Sequence, residues 1–285
     1  MSNIAAAGIV GKKTVKPTQP FVKVTGGKRK LVPEILQVLP LTFGTYHEPF
    51  LGGGALFFAL KPEKAILSDL NGKLINVYKV IRNDVDSLIR HLKKYKNSEK
   101  FYYKIRARNF DVGTPVERAA DYIYCNRTGF NGMFRENRDG QFNIPFGSYA
   151  NPTICDEVNL RNVSRALKGV TILHESFMKL TDRGAKSPKA DDLVYFDPPY
   201  EPISETSSFV GFTKAGFGRE DQIKLRDLAL TLKRKGVHVV LSHSSADYIR
   251  GLYSSPEFTI TEVQAARAVN SDGAGRGKIT ELLIY

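Results

Sequence analysis

The run Thr45-Tyr46-His47-Glu48-Pro49-Phe50-Leu51-Gly52-Gly53-Gly54, with the apolar stretch 55–60 and Ala65-Ile66-Leu67-Ser68-Asp69 behind it, decides the fold. A short strand enters a turn of three glycines, an apolar helix starts directly after it, and a buried-type strand ends on a carboxylate. Strand, glycine turn, helix, strand and acidic end together open an α/β sheet. Glycines let a backbone approach a ligand closely, and a carboxylate closing the next strand suits ribose hydroxyls. A tight turn with an incidental surface aspartate would give the same local pattern. The dinucleotide fingerprint needs a third glycine three residues after Gly54, where Phe57 stands. That argues against NAD and leaves other adenosine cofactors open.

Upstream of this unit, 31–38 reads as a helix ended by Pro40, and residues 1–19 read as a flexible basic tail closed by Pro17 and Pro20. Downstream, 72 to about 150 changes character: largely helical in pattern, rich in Lys, Arg and Tyr, and finishing in a turn-heavy stretch around Arg138-Asp139-Gly140. Alternation then resumes with strands at 170–173 and 193–196. A patterned helix follows, carrying Leu225, Leu228, Ala229 and Leu232 and stopped by Gly236. Strands at 239–241 and 281–285 complete the apolar set. The composition break predicts one α/β domain, 20–71 and 155–285, interrupted by a basic, mostly helical module at 72–154.

The chain has 285 residues, enough for a substantial core, and 42 Lys+Arg against 29 Asp+Glu give a net charge of +13. Such an excess favours polyanions, nucleic acid first and anionic membrane second. Cys125 and Cys155 are the only cysteines, so no disulfide framework is expected and a reducing cytoplasm is the default. The five histidines and two cysteines show no metal-ligand spacing, which predicts no structural metal. The apolar stretch 4–11 is too short to span a bilayer.

Chemistry concentrates in Leu193-Val194-Tyr195-Phe196-Asp197-Pro198-Pro199-Tyr200. An apolar strand delivers a carboxylate to the sheet edge, two prolines with fixed φ stiffen the turn, and an aromatic ring follows. A carboxylate and a proline carbonyl accept hydrogen bonds from an amino group while the tyrosine stacks, which suits a nucleobase. A second constellation, 126–137, alternates Arg127, Asn131, Arg135 and Asn137 with Phe130, Met133 and Phe134. Arg reads guanine edges, Asn reads adenine edges, and apolar groups meet a thymine methyl or wedge between steps. A loop whose asparagines and glycines only make turns is the plainer reading. The stretch 101–108 reads as an amphipathic helix with tyrosines inward and basic groups in solvent, and His243 reads as structural. Neither Gly26-Gly27-Lys28-Arg29 nor Gly275-Arg276-Gly277-Lys278 is a phosphate loop, since the leading glycine and the following Ser/Thr are missing.

Taken together and in order, these motifs resemble the Dam-type DNA adenine-N6 methyltransferases, S-adenosylmethionine-dependent enzymes that commonly act on GATC. The resemblance runs from about Phe21 to Tyr285. It rests on Phe-x-Lys-x-x-Gly-Gly-Lys at 21–28, Glu-Pro-Phe-Leu-Gly-Gly-Gly at 48–54, Asp69-Leu70-Asn71, 126–137, Phe142-Asn143-Ile144-Pro145-Phe146-Gly147, the 197–200 tetrad, and Arg276 with Glu281-Leu282-Leu283. It implies a class I methyltransferase, Rossmann-like sheet with an inserted target-recognition domain. It implies a cofactor site of Val24, Lys28, Phe50, Gly52, Gly54, Asp69, Phe177 and Asp197. The catalytic group would be Asp197, Pro198, Pro199 and Tyr200, with Pro198 and Tyr200 holding a flipped adenine. Lys23, Arg127, Phe130, Asn131, Met133, Arg135, Asn137, Pro145 and Tyr149 would meet duplex DNA. Three positions depart from the family: Val24 replaces a usual aromatic, Ser148 replaces an arginine before Tyr149, and Ser242-His243-Ser244 replaces Ser-Asn-Ser.

The implied activity moves a methyl group from S-adenosylmethionine to adenine N6 in duplex DNA, within GATC, in a bacterial or phage cytoplasm. A restriction endonuclease acting separately is a compatible counterpart. The rivals are a non-catalytic DNA-binding regulator, a cytosine-N4 or RNA-adenine methyltransferase, and an NAD-linked oxidoreductase.

Overall fold

The computed structural model describes residues 17–24, 26–137, 140–202, 217–266 and 278–285. The tail up to residue 16, the turn residues Arg138 and Asp139, and Arg276 lie outside them. A single seven-stranded sheet organises the chain: β1 (Tyr46–Glu48), β2 (Ala65–Asp69), β3 (Thr171–His174), β4 (Leu193–Phe196), β5 (His238–Ser244), β6 (Ile260–Ala266) and β7 (Lys278–Ile284). Its order is β3-β2-β1-β4-β5-β7-β6. The first five pair in parallel, while β7 runs antiparallel to both β5 and β6. This is the open α/β sheet that the glycine turn predicts, in the Rossmann-like form that the resemblance implies. Strand order reverses between β1 and β4, which opens a crevice beyond their carboxyl ends.

Alternation along the strands divides the core into two faces, because successive side chains point to opposite sides. Leu193 and Tyr195 join one cluster with Tyr46, Leu67, Val240 and Leu283. Val194 and Phe196 join the other with Val239, Leu241, Leu282 and Ile284. The second face is covered by α7 (Arg219–Arg234) and α8 (Asp247–Leu252). In α7, Leu225, Ala229 and Leu232 are buried, as their spacing predicts, and Gly236 takes φ +77° just beyond its end.

The first face is covered by α3 (Gly72–Leu92), α5 (Pro115–Thr128) and α6 (Glu157–Ala166), with α2 (Ala55–Leu60) behind the glycine turn. Asn71 caps α3 by accepting from Leu74 N, and Asp84 interrupts its helical geometry. Thr114 and Glu117 form a capping box on α5, with Pro115 in its first turn. Composition changes at residue 72, yet packing does not: Leu74, Val77, Tyr78 and Ile81 share the cluster of the sheet. A separate small core begins only further on, where Tyr102, Ile105, Phe110, Tyr124, Cys125, Phe142 and Ile144 pack together. It joins α4 (Glu99–Arg106), the end of α5 and the loop 129–149. Tyr102 is buried with its hydroxyl donating to Ile144 O, while Lys100, Lys104 and Arg108 face solvent. Strand β6 and helix α8 went unread in the sequence. Among the described residues, no helix is long and apolar enough to cross a membrane, and no group of His, Cys, Asp and Glu could hold a metal ion.

Candidate active site

The strand ends carry the site. Glu48 closes β1, Asp69 closes β2, Asp197 follows β4 directly, and Glu281 lies on β7. Gly54, at φ +65°, turns the chain after β1 into α2, and a Cβ there would stand 2.9 Å from the Tyr78 hydroxyl. That hydroxyl donates to Gly52 O at 3.0 Å, so a bulkier residue would break the brace holding the turn. Asp69 fixes the same turn from below, accepting from Gly52 N (2.9 Å) and Asn71 N (2.8 Å).

Asp197 accepts Ser242 Oγ at 3.0 Å and pairs with Lys28 Nζ at 3.0 Å, both through Oδ1. Oδ2 has no protein partner among the described residues. Burial raises the Asp197 pKa, and the Lys28 ammonium opposes that shift. Lys28 is itself buried; it donates to Gly26 O at 2.6 Å, lies 3.9 Å from Glu281, and stands 4.3 Å from the Tyr200 ring centre. Tyr200 donates to Glu281 Oε2 at 2.7 Å. Glu48 is buried with the Tyr46 hydroxyl donating to it at 2.9 Å. Desolvation is the main cause that lifts its pKa to about 8, with the Asp197 and Asp69 charges adding to it.

A cavity of about 480 Å³ is lined by Glu48, Tyr195, Asp197 and Glu281 on the sheet side and by Asn131 and Tyr149 on the other. Residues expected at the cofactor and residues expected at DNA therefore share one space. Lys23, Val24, Lys28, Gly52 and Gly54 also line it. Phe50, Asp69 and Phe177 do not. Phe50 and Phe177 instead stack on each other at 5.2 Å, with Phe217 edge-on to Phe50 at 5.8 Å. The three rings form an aromatic cluster packed against the second core.

The loop 129–149 presents Phe130 (48% exposed), Asn131, Arg135 and Pro145 outward. Met133 packs against the small core. Asn137 turns toward Gln141, whose backbone N–H it accepts at 2.9 Å. Arg127, expected at DNA, is half-buried, and its Nη2 donates to Phe21 O at 2.7 Å. Its neighbour Asn126 is fully buried and grips Lys23 by both backbone groups, at 2.8 Å each, while also donating to Gly132 O at 2.7 Å. Lys23 is exposed, with Nζ 5.0 Å from the Tyr149 ring centre. The sequence reading missed the roles of Glu48, Asn126, Ser242 and Glu281. For Glu48 the signal was present: a carboxylate ending a strand, as at Asp69 and Asp197.

The described site offers the Asp197 and Glu281 carboxylates at the strand ends to a cationic group. Lys28 pairs with Asp197 and lies 3.9 Å from Glu281, while Lys23, Arg29 and Lys30 also line the cavity, so carboxylates and cations share it. Sheet order and this strand-end site define a Rossmann-like methyltransferase rather than a dehydrogenase. The chain belongs to the D12 class N6 adenine-specific DNA methyltransferase family, whose profile matches residues 25–269. It is 40% identical to the type II methyltransferase M1.LlaDCHI of Lactococcus lactis subsp. cremoris, covering 93% of this chain and 94% of that protein. Identity to the type II methyltransferase M.MjaIII of Methanocaldococcus jannaschii is also 40%, covering 93% and 98%. A DNA adenine methylase of Vibrio cholerae is 33% identical, covering 94% and 96%.

Proposed function

We propose that this chain transfers a methyl group from S-adenosylmethionine to N6 of an adenine flipped out of duplex DNA, within GATC. The observation that carries the reading is the shared cavity, with the open Asp197 Oδ2 on one wall and Asn131 and Tyr149 on the other. S-adenosylmethionine would supply an electrophilic methyl group on a sulfonium. Its sulfonium and ammonium suit Asp197 and Glu281, and the resemblance puts Asp69 at its ribose and Phe50 and Phe177 at its adenine.

The chain's own residues do the rest. An adenine amino nitrogen is a weak nucleophile because its lone pair is delocalised into the ring. Asp197 Oδ2 and the Pro198 carbonyl accept its two N–H groups, localising the pair and aiming it at the methyl carbon. Lys28 opposes the desolvation that raises the Asp197 pKa, which favours a carboxylate that accepts this hydrogen bond and then the proton that N6 loses. In-line positioning supplies most of the remaining acceleration. Flipping costs a few kcal/mol, offset by stacking on Tyr200 and by Phe130 filling the vacated space. Pro199 stiffens the turn.

Duplex DNA would be held by a recognition domain of 72–154, inserted in a catalytic domain of 20–71 and 155–285, with α3 packed on the catalytic sheet and the small core forming its outer part. Lys23, Phe130, Asn131, Arg135, Pro145 and Tyr149 would meet the site directly, with Met133, Asn137 and Arg127 supporting their loop. The type II names of two relatives support a restriction endonuclease as a separate counterpart in a bacterial or phage cytoplasm. Expression in a methylation-free host and mapping of N6-methyladenine tests reaction and sequence together. Methylated adenine at GATC is expected; none, or N4-methylcytosine, would overturn the reading.

A further inference from the structure

Behind the tetrad lies a hydrogen-bonded series that the reaction as described does not use. His243, wholly buried on β5, stacks on Tyr200 with ring centres 4.9 Å apart and planes at 16°. Ser244 N donates to His243 Nδ1 at 2.8 Å, which fixes that nitrogen as the acceptor. Nε2 therefore carries the hydrogen and donates to Gln222 Oε1 at 3.1 Å. Gln222, buried on α7, turns its amide nitrogen to Pro199 O at 3.1 Å. Ser244 Oγ closes the set by donating to Glu201 O at 2.7 Å. Every polar atom of the imidazole and of the Gln222 amide is engaged, so the ring has one tautomer and one orientation. Burial, reinforced by Lys28, pushes its pKa down to about 3, so it is neutral at working pH.

We infer that His243 is a positioning residue that backs the Tyr200 ring and, through Gln222, holds the Pro199 carbonyl, so that both are fixed before the flipped base arrives. The inference rests on the proposed role of Tyr200 as the surface on which the base stacks. Its physical content is pre-organisation. A tyrosine following two prolines has a stiff backbone, but its ring can still tilt. A fixed flat ring at stacking distance beneath it removes that freedom before the base arrives. His243 covers one face of Tyr200 and Lys28 Nζ stands over the ring 4.3 Å from its centre, so the base meets a ring already held between an imidazole and an ammonium.

The test uses the full-length protein and a duplex carrying 2-aminopurine at the target adenine, whose fluorescence reports flipping and falls when the flipped base stacks. His243→Asn removes the ring, and Gln222→Leu leaves the ring but unties it. For both, kcat on unmodified duplex is expected to fall roughly tenfold with the KM for DNA within about twofold, and the bound 2-aminopurine to brighten. A merely structural role would lower the melting temperature without changing the brightness of the bound complex. Wild-type kcat and brightness in both folded variants would overturn the inference, and if one variant fails to fold the other decides. Tyr200→Ala separates the two layers of argument. If it brightens the probe and slows the reaction while the other variants do not, only the role of His243 falls. If Tyr200→Ala itself behaves as wild type, the stacking reading falls and the inference with it.

Discussion

Asp197 sits where burial and a neighbouring ammonium oppose each other, and the balance decides whether it can accept from an amino group. Asp197→Ala is expected to abolish methylation while leaving DNA affinity within a few-fold; single-turnover methylation and filter binding on one duplex check it. Catalysis retained within about tenfold would remove the carboxylate from the mechanism. Glu48 poses the converse case, a carboxylate that burial keeps protonated up to about pH 8. The native chain holds a proton there that the unfolded chain releases near 4.5, so its contribution to stability declines as pH rises from about 4.5 to about 8. Glu48→Gln should flatten that part of the profile in thermal melts taken across this range, and an unchanged slope would assign it to other groups. Asp197 was readable from its neighbours in sequence, because strand, carboxylate and two prolines are contiguous. Glu48 was quoted within a motif but given no role, because its consequence depends on Asp69 and Asp197 lying nearby, which only the sheet brings about.

At the scale of elements, α5 ends in two residues that tie separate pieces of the site together. Arg127 holds Phe21, and Asn126 holds Lys23 on one side and Gly132 on the other. The segment entering the cofactor loop and the turn carrying Phe130 and Asn131 are thus referred to one buried amide. Asn126→Leu leaves the Lys23 backbone and Gly132 O without their partner. At about 1–3 kcal/mol for each unsatisfied buried group, the melting temperature should fall by roughly 5 °C or more. Discrimination between GATC and single-base variants should fall with it, since Lys23 and Asn131 would no longer share a fixed frame. A variant that melts lower but discriminates as before would limit Asn126 to stability. Elements with local signals were legible: the glycine turn with α2, β2, β4, and α7 with its glycine stop. The packing of α3 was not, because its basic surface reads like the module that follows, while its apolar stripe faces the sheet. Strand β6 escaped because it is an edge strand pairing only with β7, and its alternation of Ile260 and Glu262 with Thr261 and Val263 carries little apolar weight.

Across the whole molecule, charge is arranged in opposite senses on two scales. The chain carries +13 overall, yet four carboxyl groups, Glu48, Asp69, Asp197 and Glu281, gather at the strand ends, with Lys28 beside Asp197 and Glu281. The basic surplus was evident from composition. The acidic cluster was not, because its members are far apart in the chain and meet only through the strand order β2-β1-β4-β5-β7. The basic surplus suits a polyanionic substrate and the half-buried Asp197 and buried Glu281 suit a cationic cofactor, and the two should respond differently to salt. Phosphate contacts release condensed counterions, so log affinity for duplex DNA falls by about 0.9 per contact for each unit of log salt. Four contacts would cost about a hundredfold between 50 and 200 mM. The cofactor is small and would lie among buried carboxylates, where screening is weak, so its affinity should change by no more than about threefold over the same range. Titration calorimetry with S-adenosylmethionine and fluorescence anisotropy with a labelled GATC duplex, at matched salt, measure both. DNA affinity that ignores salt would exclude the basic surface as the docking face. Cofactor affinity that falls as steeply as that for DNA would mean that binding of the cation depends on exposed charge rather than on the carboxylates at the strand ends.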